Sequence, residues 1–244
     1  MVAMIDTNLL LAGIAVLIAG LVRGFSGFGA GLILVPSLSL LYSPLVAVVS
    51  VVIMELIPAL QLVPKAAGRC HWRSVLPMSL AALVTVPLGS WLLVVIDEHS
   101  MRLLISLMVL LGTAVLASGW RYQPVVHDHK APLLTGAVSG ILSGATGLGG
   151  LPVILYYLSG THKAEVTRAS MVMFLFVTVL MSLSMFIYHG IISREILLRC
   201  LSLAPLLLLA TWAGGRVFGK VSENTFRNVL LMMLTTIGMM TLVF

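Results

Sequence analysis

Two glycine-rich stretches, GLVRGFSGFGAG at residues 20–31 and SGATGLGG at residues 143–150, hold the residues best suited to chemistry. Glycine lets a ligand approach the backbone closely, and the first amides of a helix carry positive dipole character, so both stretches suit an anion. A serine and a threonine at matching places add hydroxyl donors. The residues predicted to contact the anion are Gly24, Ser26, Gly27, Gly29, Gly144, Thr146, Gly147, Gly149 and Gly150.

Two charged residues accompany the first stretch. Arg23 lies inside an apolar segment, where an arginine costs at least about 2.5 to 3.5 kcal/mol at the membrane centre, so it needs a partner or a cavity. That partner is either the anion, which makes Arg23 a further binding residue, or Glu55, the acidic residue deep within the next segment. Glu55 is also the candidate group for proton coupling, and the sequence leaves these readings open.

The composition identifies the class of protein that must hold these residues. Of 244 residues, 60% are hydrophobic and 9% are charged, which is typical of a polytopic membrane protein whose surroundings are the lipid bilayer. The net charge of +6 comes from basic residues scattered at segment ends, so it indicates topology and not nucleic-acid binding. Asp6 and the lack of Lys or Arg before the first apolar run predict a mature start and not a signal peptide.

Eight apolar segments are predicted to be helical, at residues 9–42, 44–63, 75–96, 103–120, 132–158, 166–188, 196–212 and 228–244. The first has 34 residues, about 51 Å as one helix, against a hydrocarbon core of about 30 Å. It is too short for two full crossings. We therefore expect two half-length helical arms that meet at the glycines, a re-entrant hairpin, in 9–42 and again in 132–158.

The chain is predicted to contain two copies of one unit, residues 1–125 and 126–244. A shift of 120 positions aligns the two glycine stretches, and a shift of 125 aligns Gly89 with Gly214. If both glycine-rich segments are hairpins, ten of the fourteen Lys and Arg residues fall on one side of the membrane and three on the other. The prediction is an all-α fold of two inverted repeats, each a re-entrant hairpin plus three transmembrane helices, with both termini extracytoplasmic.

Other classes of function find little support in the sequence. It contains no HExxH, GxSxG or Walker-type motif, so an intramembrane enzyme is a weak alternative, and no cofactor or metal is predicted. Cys70 and Cys200 lack metal or redox spacing and lie near opposite faces in the hairpin topology, which argues against a disulfide.

At the stretches GLVRGFSGFGAGLILVP (20–36) and GAVSGILSGATGLGGLPVILYY (136–157), the sequence resembles the sulfite exporter TauE/SafE family of bacterial permeases. The resemblance extends along the whole chain in size, duplication and hydropathy. It implies a transporter of the bacterial inner membrane, an exporter, that moves small sulfur-containing anions such as sulfite, thiosulfate or organosulfonates. The inverted repeats predict that it is a secondary transporter working by alternating access, with the anion between the two glycine-rich tips. An anion channel, a carrier of carboxylate or chloride, and a homodimer are alternatives that the sequence leaves open.

Overall fold

The computed structural model describes residues 7–26, 29–118, 130–158, 164–217 and 223–243. These residues form helices joined by short turns and irregular segments, with no strand among them, which confirms the predicted all-α class. The helices are α1 (Thr7–Ser26), α2 (Ala30–Leu41), α3 (Pro44–Ala67), α4 (Trp72–Val95), α5 (Glu98–Ser118), α6 (Lys130–Thr146), α7 (Gly150–Leu158), α8 (Ala164–Tyr188), α9 (Arg194–Val217) and α10 (Glu223–Val243).

Six of these helices are long and apolar enough to cross a membrane. They contain the stretches Thr7–Gly24, Pro44–Ala67, Trp72–Val95, Glu98–Val115, Glu165–Tyr188 and Arg194–Arg216. Large apolar side chains on them point outward, for example Val84 at 77% exposure and Leu201 at 72%, as expected for surfaces that face lipid. The protein is therefore a multi-pass membrane protein.

Local signals fix several helix ends. After α8, Gly190 takes a left-handed φ of 65°, and the Ile191 amide donates back to the carbonyl of Phe186 at 3.2 Å, which satisfies a terminal carbonyl. At the start of α9, the Ser193 hydroxyl accepts the amide of Ile196 at 3.2 Å as a cap. Such pairing matters in a membrane because an unpaired backbone group is costly there.

Both predicted hairpins are interrupted at their glycines, but their arms are unequal. α1 has 20 residues and α2 has 12, while α6 has 17 and α7 has 9. The expectation of half-length arms is therefore wrong for α1, which is long enough to span a membrane by itself. Gly13, Gly20 and Gly24 do not break α1, because glycine is tolerated within a helix where a neighbouring helix packs closely against it.

The two helices of the first predicted hairpin run side by side in opposite directions. The side-chain amide of Asn8, at the start of α1, lies 3.5 Å from the carbonyl oxygen of Leu41, at the end of α2. Near the turn, a methyl group on Gly29 would lie 3.8 Å from Val22 of α1. The chain thus returns along α2 towards the end at which α1 began.

The chain divides into two compact units. The first comprises Met1–Met54, Glu98–Ala117 and Ser193–Phe244, so it contains α1, α2, the start of α3, most of α5, α9 and α10. Within it, α1 packs against α9 and α2, and α10 packs against α2. The α1–α9 contact is close at Gly24, where an added methyl group would lie 2.7 Å from the amide nitrogen of Gly215.

The second unit comprises Glu55–Asp97 and Ser118–Ile192, which contain the rest of α3 together with α4, α6, α7 and α8. α4 packs against both α6 and α8. Its contact with α6 is again a glycine contact, since a methyl group on Gly144 would lie 2.6 Å from the amide nitrogen of Ser90. Ala66, Val75, Ala169 and Met173 form an apolar cluster where α3, α4 and α8 meet.

The same contact pattern occurs inside each unit. Gly24 and Gly144 are 120 positions apart, and their partners Gly214 and Gly89 are 125 positions apart, the shifts that align the two sequence halves. In each unit, a long helix from one sequence half packs against the hairpin of the other half: α9 against α1, and α4 against α6. The compact units therefore mix the two halves, and the repeat boundaries at 1–125 and 126–244 remain predictions.

Candidate functional site

The first glycine tip joins α1 to α2 and belongs to the first unit. Arg23 lies in the last turn of α1 and is buried, with 8% of its surface exposed. Ser26 is the final residue of α1, and Gly27 lies outside the described residues. Gly29 precedes α2 with a φ of 91°, a left-handed conformation that glycine adopts without steric cost.

The first turn of α2 has no side-chain cap. Gly29 occupies the capping position, and its carbonyl accepts the Leu32 amide at 3.2 Å. Gly29 has no side chain to accept the remaining amides of the first turn, those of Ala30 and Gly31, and amides at this position of a helix suit an anion. Arg23 lies six positions before Gly29 in the chain and adds a full positive charge to this unit.

The second glycine tip joins α6 to α7 and belongs to the second unit. Gly147 adopts a left-handed φ of 68° at the turn, and its amide donates to the carbonyl of Ser143 at 3.1 Å. The Thr146 hydroxyl is fully buried; it donates to the Leu142 carbonyl at 2.8 Å and accepts the Leu148 amide at 3.3 Å. Donation from Thr146 to an anion, as the sequence predicts, requires this hydroxyl to turn away from Leu142.

Gly149 lies against α6 and accepts no side chain. A methyl group there would lie 2.6 Å from the carbonyl oxygen of Ser139, and it would also meet the hydroxyl of Ser143. The Ser139 hydroxyl in turn donates to the carbonyl of Gly149. Gly150, the first residue of α7, is less confined, because a methyl group there would lie 3.6 Å from Leu175.

Ser139 and Ser143 were missed as candidate residues. They lie four positions apart on α6, so both face the start of α7, and both are buried. Their spacing was visible in the sequence. What was not visible is that this face of α6 meets the return arm, because helical periodicity identifies a face without identifying what covers it.

Gly24 and Gly144 have packing roles that the structure makes explicit. Each presents its Cα to the backbone of the long helix beside it, and a side chain at either position would collide with that helix. This is the close approach that small residues permit between membrane helices. A role for these two glycines in binding an anion remains a prediction.

Glu55 lies within α3, in the stretch Pro44–Ala67 that is long enough to cross a membrane, and is partly buried. It belongs to the second unit, whereas Arg23 belongs to the first. Pro58 follows one turn later in the same helix and removes the amide that would otherwise bond the carbonyl of Met54. Pairing of Arg23 with Glu55 and proton coupling through Glu55 both remain predictions.

The remaining reactive groups are the two cysteine thiols and the side chains that could bind a metal. Cys70, in the joint between α3 and α4, and Cys200, in α9, are free thiols. Burial raises the pKa of the Cys70 thiol, and a backbone hydrogen bond offsets part of that rise, so the thiol is protonated at neutral pH. The described helices bring together no group of three His, Cys, Asp or Glu side chains that could hold a metal.

Together, the spanning helices, the left-handed glycines and the buried arginine define the class: an α-helical multi-pass membrane protein whose apolar segments are broken at glycines. The chain belongs to the sulfite exporter TauE/SafE family, whose model matches residues 12–241. This is a family of membrane transporters and not of enzymes.

A curated relative gives a similar result. The chain is 24% identical over 221 residues to a protein of Cupriavidus necator described as "Probable sulfite/organosulfonate exporter TauE", and the match covers 87% of this chain and 85% of the relative. No solved structure gives a significant match.

Proposed function

We propose that this protein is a secondary transporter that carries small sulfur-containing anions, such as sulfite, thiosulfate or organosulfonates, out of the bacterial cytoplasm across the inner membrane. The observation that carries the proposal is the match of residues 12–241 to an exporter family. The relative from Cupriavidus necator, named for sulfite and organosulfonate, supports the substrate class.

The glycine tips are the proposed binding site. Gly29 and Gly147 turn the chain through left-handed conformations inside apolar segments, and α2 begins without a side-chain cap. Backbone amides at such breaks favour an anion by both hydrogen bonding and dipole. In this proposal the positive charge of the buried Arg23 attracts the anion. Backbone amides at the glycine tips donate hydrogen bonds to it.

The proposed architecture is a pair of inverted repeats, each with a re-entrant hairpin, that work by alternating access. The approach of Asn8 to Leu41 supports a hairpin that returns to the side it entered. The matching glycine contacts inside the two units support a duplicated fold. The excess of basic residues on one predicted side supports the inverted orientation of the second repeat.

The membrane potential favours export. Moving a dianion out of a cell with a negative interior gains about 4.6 kcal/mol per 100 mV, twice the value for a single charge. Export therefore needs no coupling ion, whereas uptake would require protons or sodium to offset this energy. Protonation of Glu55 during the cycle would couple flux to pH in either direction.

The test is flux through purified protein in liposomes, with sulfite, thiosulfate, a short sulfonate, chloride and a carboxylate offered separately. We expect saturable movement of the sulfur anions and acceleration by unlabelled sulfur anion on the opposite side, which a carrier gives and a channel does not. Movement of chloride or carboxylate, with no movement of any sulfur anion, would contradict the proposed substrate class. Flux without saturation or counter-exchange would identify a channel. A separate measurement, the mass of the purified protein in solution, would reveal a homodimer.

A further inference from the structure

The return arm of the second hairpin is held at its far end by a buried tyrosine. Tyr157 lies in the last turn of α7, is 2% exposed, and its hydroxyl lies 2.7 Å from the hydroxyl of Ser74 in α4. Ser170 in α8 is joined to the same group through His71, whose amide its hydroxyl accepts at 2.9 Å. The Tyr157 hydroxyl therefore ties the end of α7 to α4, a long helix of its unit.

The partners of Tyr157 are themselves fixed. The Ser74 hydroxyl lies 3.0 Å from both the carbonyl oxygen and the ring Nδ1 of His71, at the start of α4. The Ser170 hydroxyl accepts the His71 amide at 2.9 Å and donates to the Val166 carbonyl at 2.7 Å. This cluster of Tyr157, Ser74, Ser170 and His71, here termed the tyrosine latch, is a continuous hydrogen-bonded network.

The first unit has an equivalent contact of different chemistry. Tyr42 ends α2, and the guanidinium of Arg199 in α9 lies 4.3 Å from the centre of its ring. Arg199 is oriented by Glu195, one turn earlier, at 2.5 Å. Ser74 and Arg199 are 125 positions apart, the shift that relates α4 to α9, whereas the two tyrosines are 115 positions apart. Equivalent positions on the two long helices therefore contact a tyrosine near the end of each return arm.

We propose that Tyr157 and Tyr42 are positioning residues, which hold the two return arms so that their opposite ends present the glycine tips to the anion. The inference rests on the proposed function. α7 has only nine residues, too few to be stable as an isolated helix, so contacts at its two ends determine where it lies. The hydrogen bond from Ser139 to the Gly149 carbonyl holds one end, and the tyrosine latch holds the other.

The substitution Tyr157→Phe removes this contact with little disturbance. It deletes one hydroxyl and keeps the ring, while Ser74 keeps His71 and Ser170 keeps both His71 and Val166 as partners. Neither Ser74 nor Ser170 is left unpaired, and unpaired buried polar groups are the usual cause of large losses in stability. Tyr156→Phe is the matched control, because Tyr156 is next in the chain and its hydroxyl makes no hydrogen bond to the described residues.

The experiment compares thiosulfate flux by wild type, Tyr157→Phe and Tyr156→Phe in liposomes. Because loss of one buried hydrogen bond corresponds to about a three- to tenfold change, we expect the apparent KM of Tyr157→Phe to rise by about that factor. Tyr156→Phe should keep the wild-type KM. A fall in maximal rate alone, or an equal change in both variants, would overturn the inference, because a purely structural role lowers the amount of active protein without changing KM.

A second experiment tests Tyr42 in the first unit, and a third experiment does not depend on transport. Tyr42→Leu, which removes the ring, should raise KM more than Tyr42→Phe, which keeps it under Arg199. Hydrogen exchange in detergent should speed up for the amides at the start of α7 in Tyr157→Phe and not in Tyr156→Phe. If the wild type moves no sulfur anion, the proposed function fails. Separately, equal rates of hydrogen exchange at α7 in both variants would overturn the positioning role.

Discussion

At the scale of single residues, the left-handed glycine of the second tip is the most restrictive feature. Gly147 has a φ of 68°, which a residue with a side chain adopts at a cost of about 1 to 3 kcal/mol. We expect Gly147→Leu to insert into the membrane but to lose at least about nine-tenths of its thiosulfate flux, because the tip cannot keep its shape.

Gly190 provides the matched control for that experiment. It has a similar φ of 65° but lies after α8, and a methyl group there would have nothing within 4 Å. Gly190→Leu carries the same backbone strain away from the tip, so its flux should stay near that of wild type. Equal loss in both variants would mean that strain alone, and not the tip, explains the effect.

Glu55 is the residue at which proton coupling is tested. Glu55→Gln keeps the size of the side chain and removes its ability to exchange a proton. We expect its flux to lose the pH dependence seen in wild type when the same pH steps are imposed across the liposome membrane. Glu98→Gln, an exposed carboxyl at the start of α5, is the control. Full pH dependence in Glu55→Gln would exclude this residue from coupling.

At the scale of helices, glycine packing positions the hairpins. A methyl group on Gly144 would lie 2.6 Å from the amide of Ser90, so α6 and α4 must separate to accept it. We expect Gly144→Ala to destabilise the protein by about 1 to 3 kcal/mol, measured as a lower thermal midpoint in detergent.

The control for the packing prediction is Gly13→Ala in α1. Its methyl group would lie 3.6 Å from Leu206, an ordinary van der Waals contact, and alanine favours a helix over glycine. Its thermal midpoint should equal or exceed that of wild type. If Gly144→Ala has the same thermal midpoint as the wild type, the close approach of α4 and α6 is not a source of stability.

The sequence predicts the helices better than it predicts their contacts. Both helix breaks fall at the predicted glycines, because only those positions combine several glycines within an apolar run. The length of α1 was not predicted, since Gly20 and Gly24 look like breaking residues until α9 is seen against them. The contact of Ser139 with Gly149 was likewise invisible, because it depends on which face of α6 the return arm covers.

At the scale of the whole molecule, the sequence predicts a duplication but does not predict which helices of the two halves pack together. The shifts of 120 and 125 positions align the glycines of the two halves. Nothing in them indicates that α4 packs with α6, and α9 with α1, each long helix on the hairpin of the other half. Apolar periodicity is alike in every membrane helix, so partners are decided by shape in three dimensions.

The predicted topology is tested by labelling Cys70. It lies in the joint between α3 and α4, on the side predicted to be cytoplasmic, while Cys200 is buried in α9. We expect a membrane-impermeant maleimide to label Cys70 in inside-out vesicles and not in right-side-out vesicles. Because the pKa of Cys70 is raised and the thiolate is the reactive form, its labelling rate should rise about tenfold per pH unit above neutrality. Labelling of Cys70 only in right-side-out vesicles would show that the topology is the reverse of the predicted one.

We propose that this member of the TauE/SafE family exports sulfur-containing anions that bind at its glycine tips. The most direct measurement is sulfite efflux from liposomes under an imposed inside-negative potential, with wild type beside Gly147→Leu. We expect saturable efflux by the wild type that grows with the potential, and almost no efflux by Gly147→Leu. Absence of sulfur-anion efflux from folded wild-type protein, or equal efflux from both proteins, would contradict it.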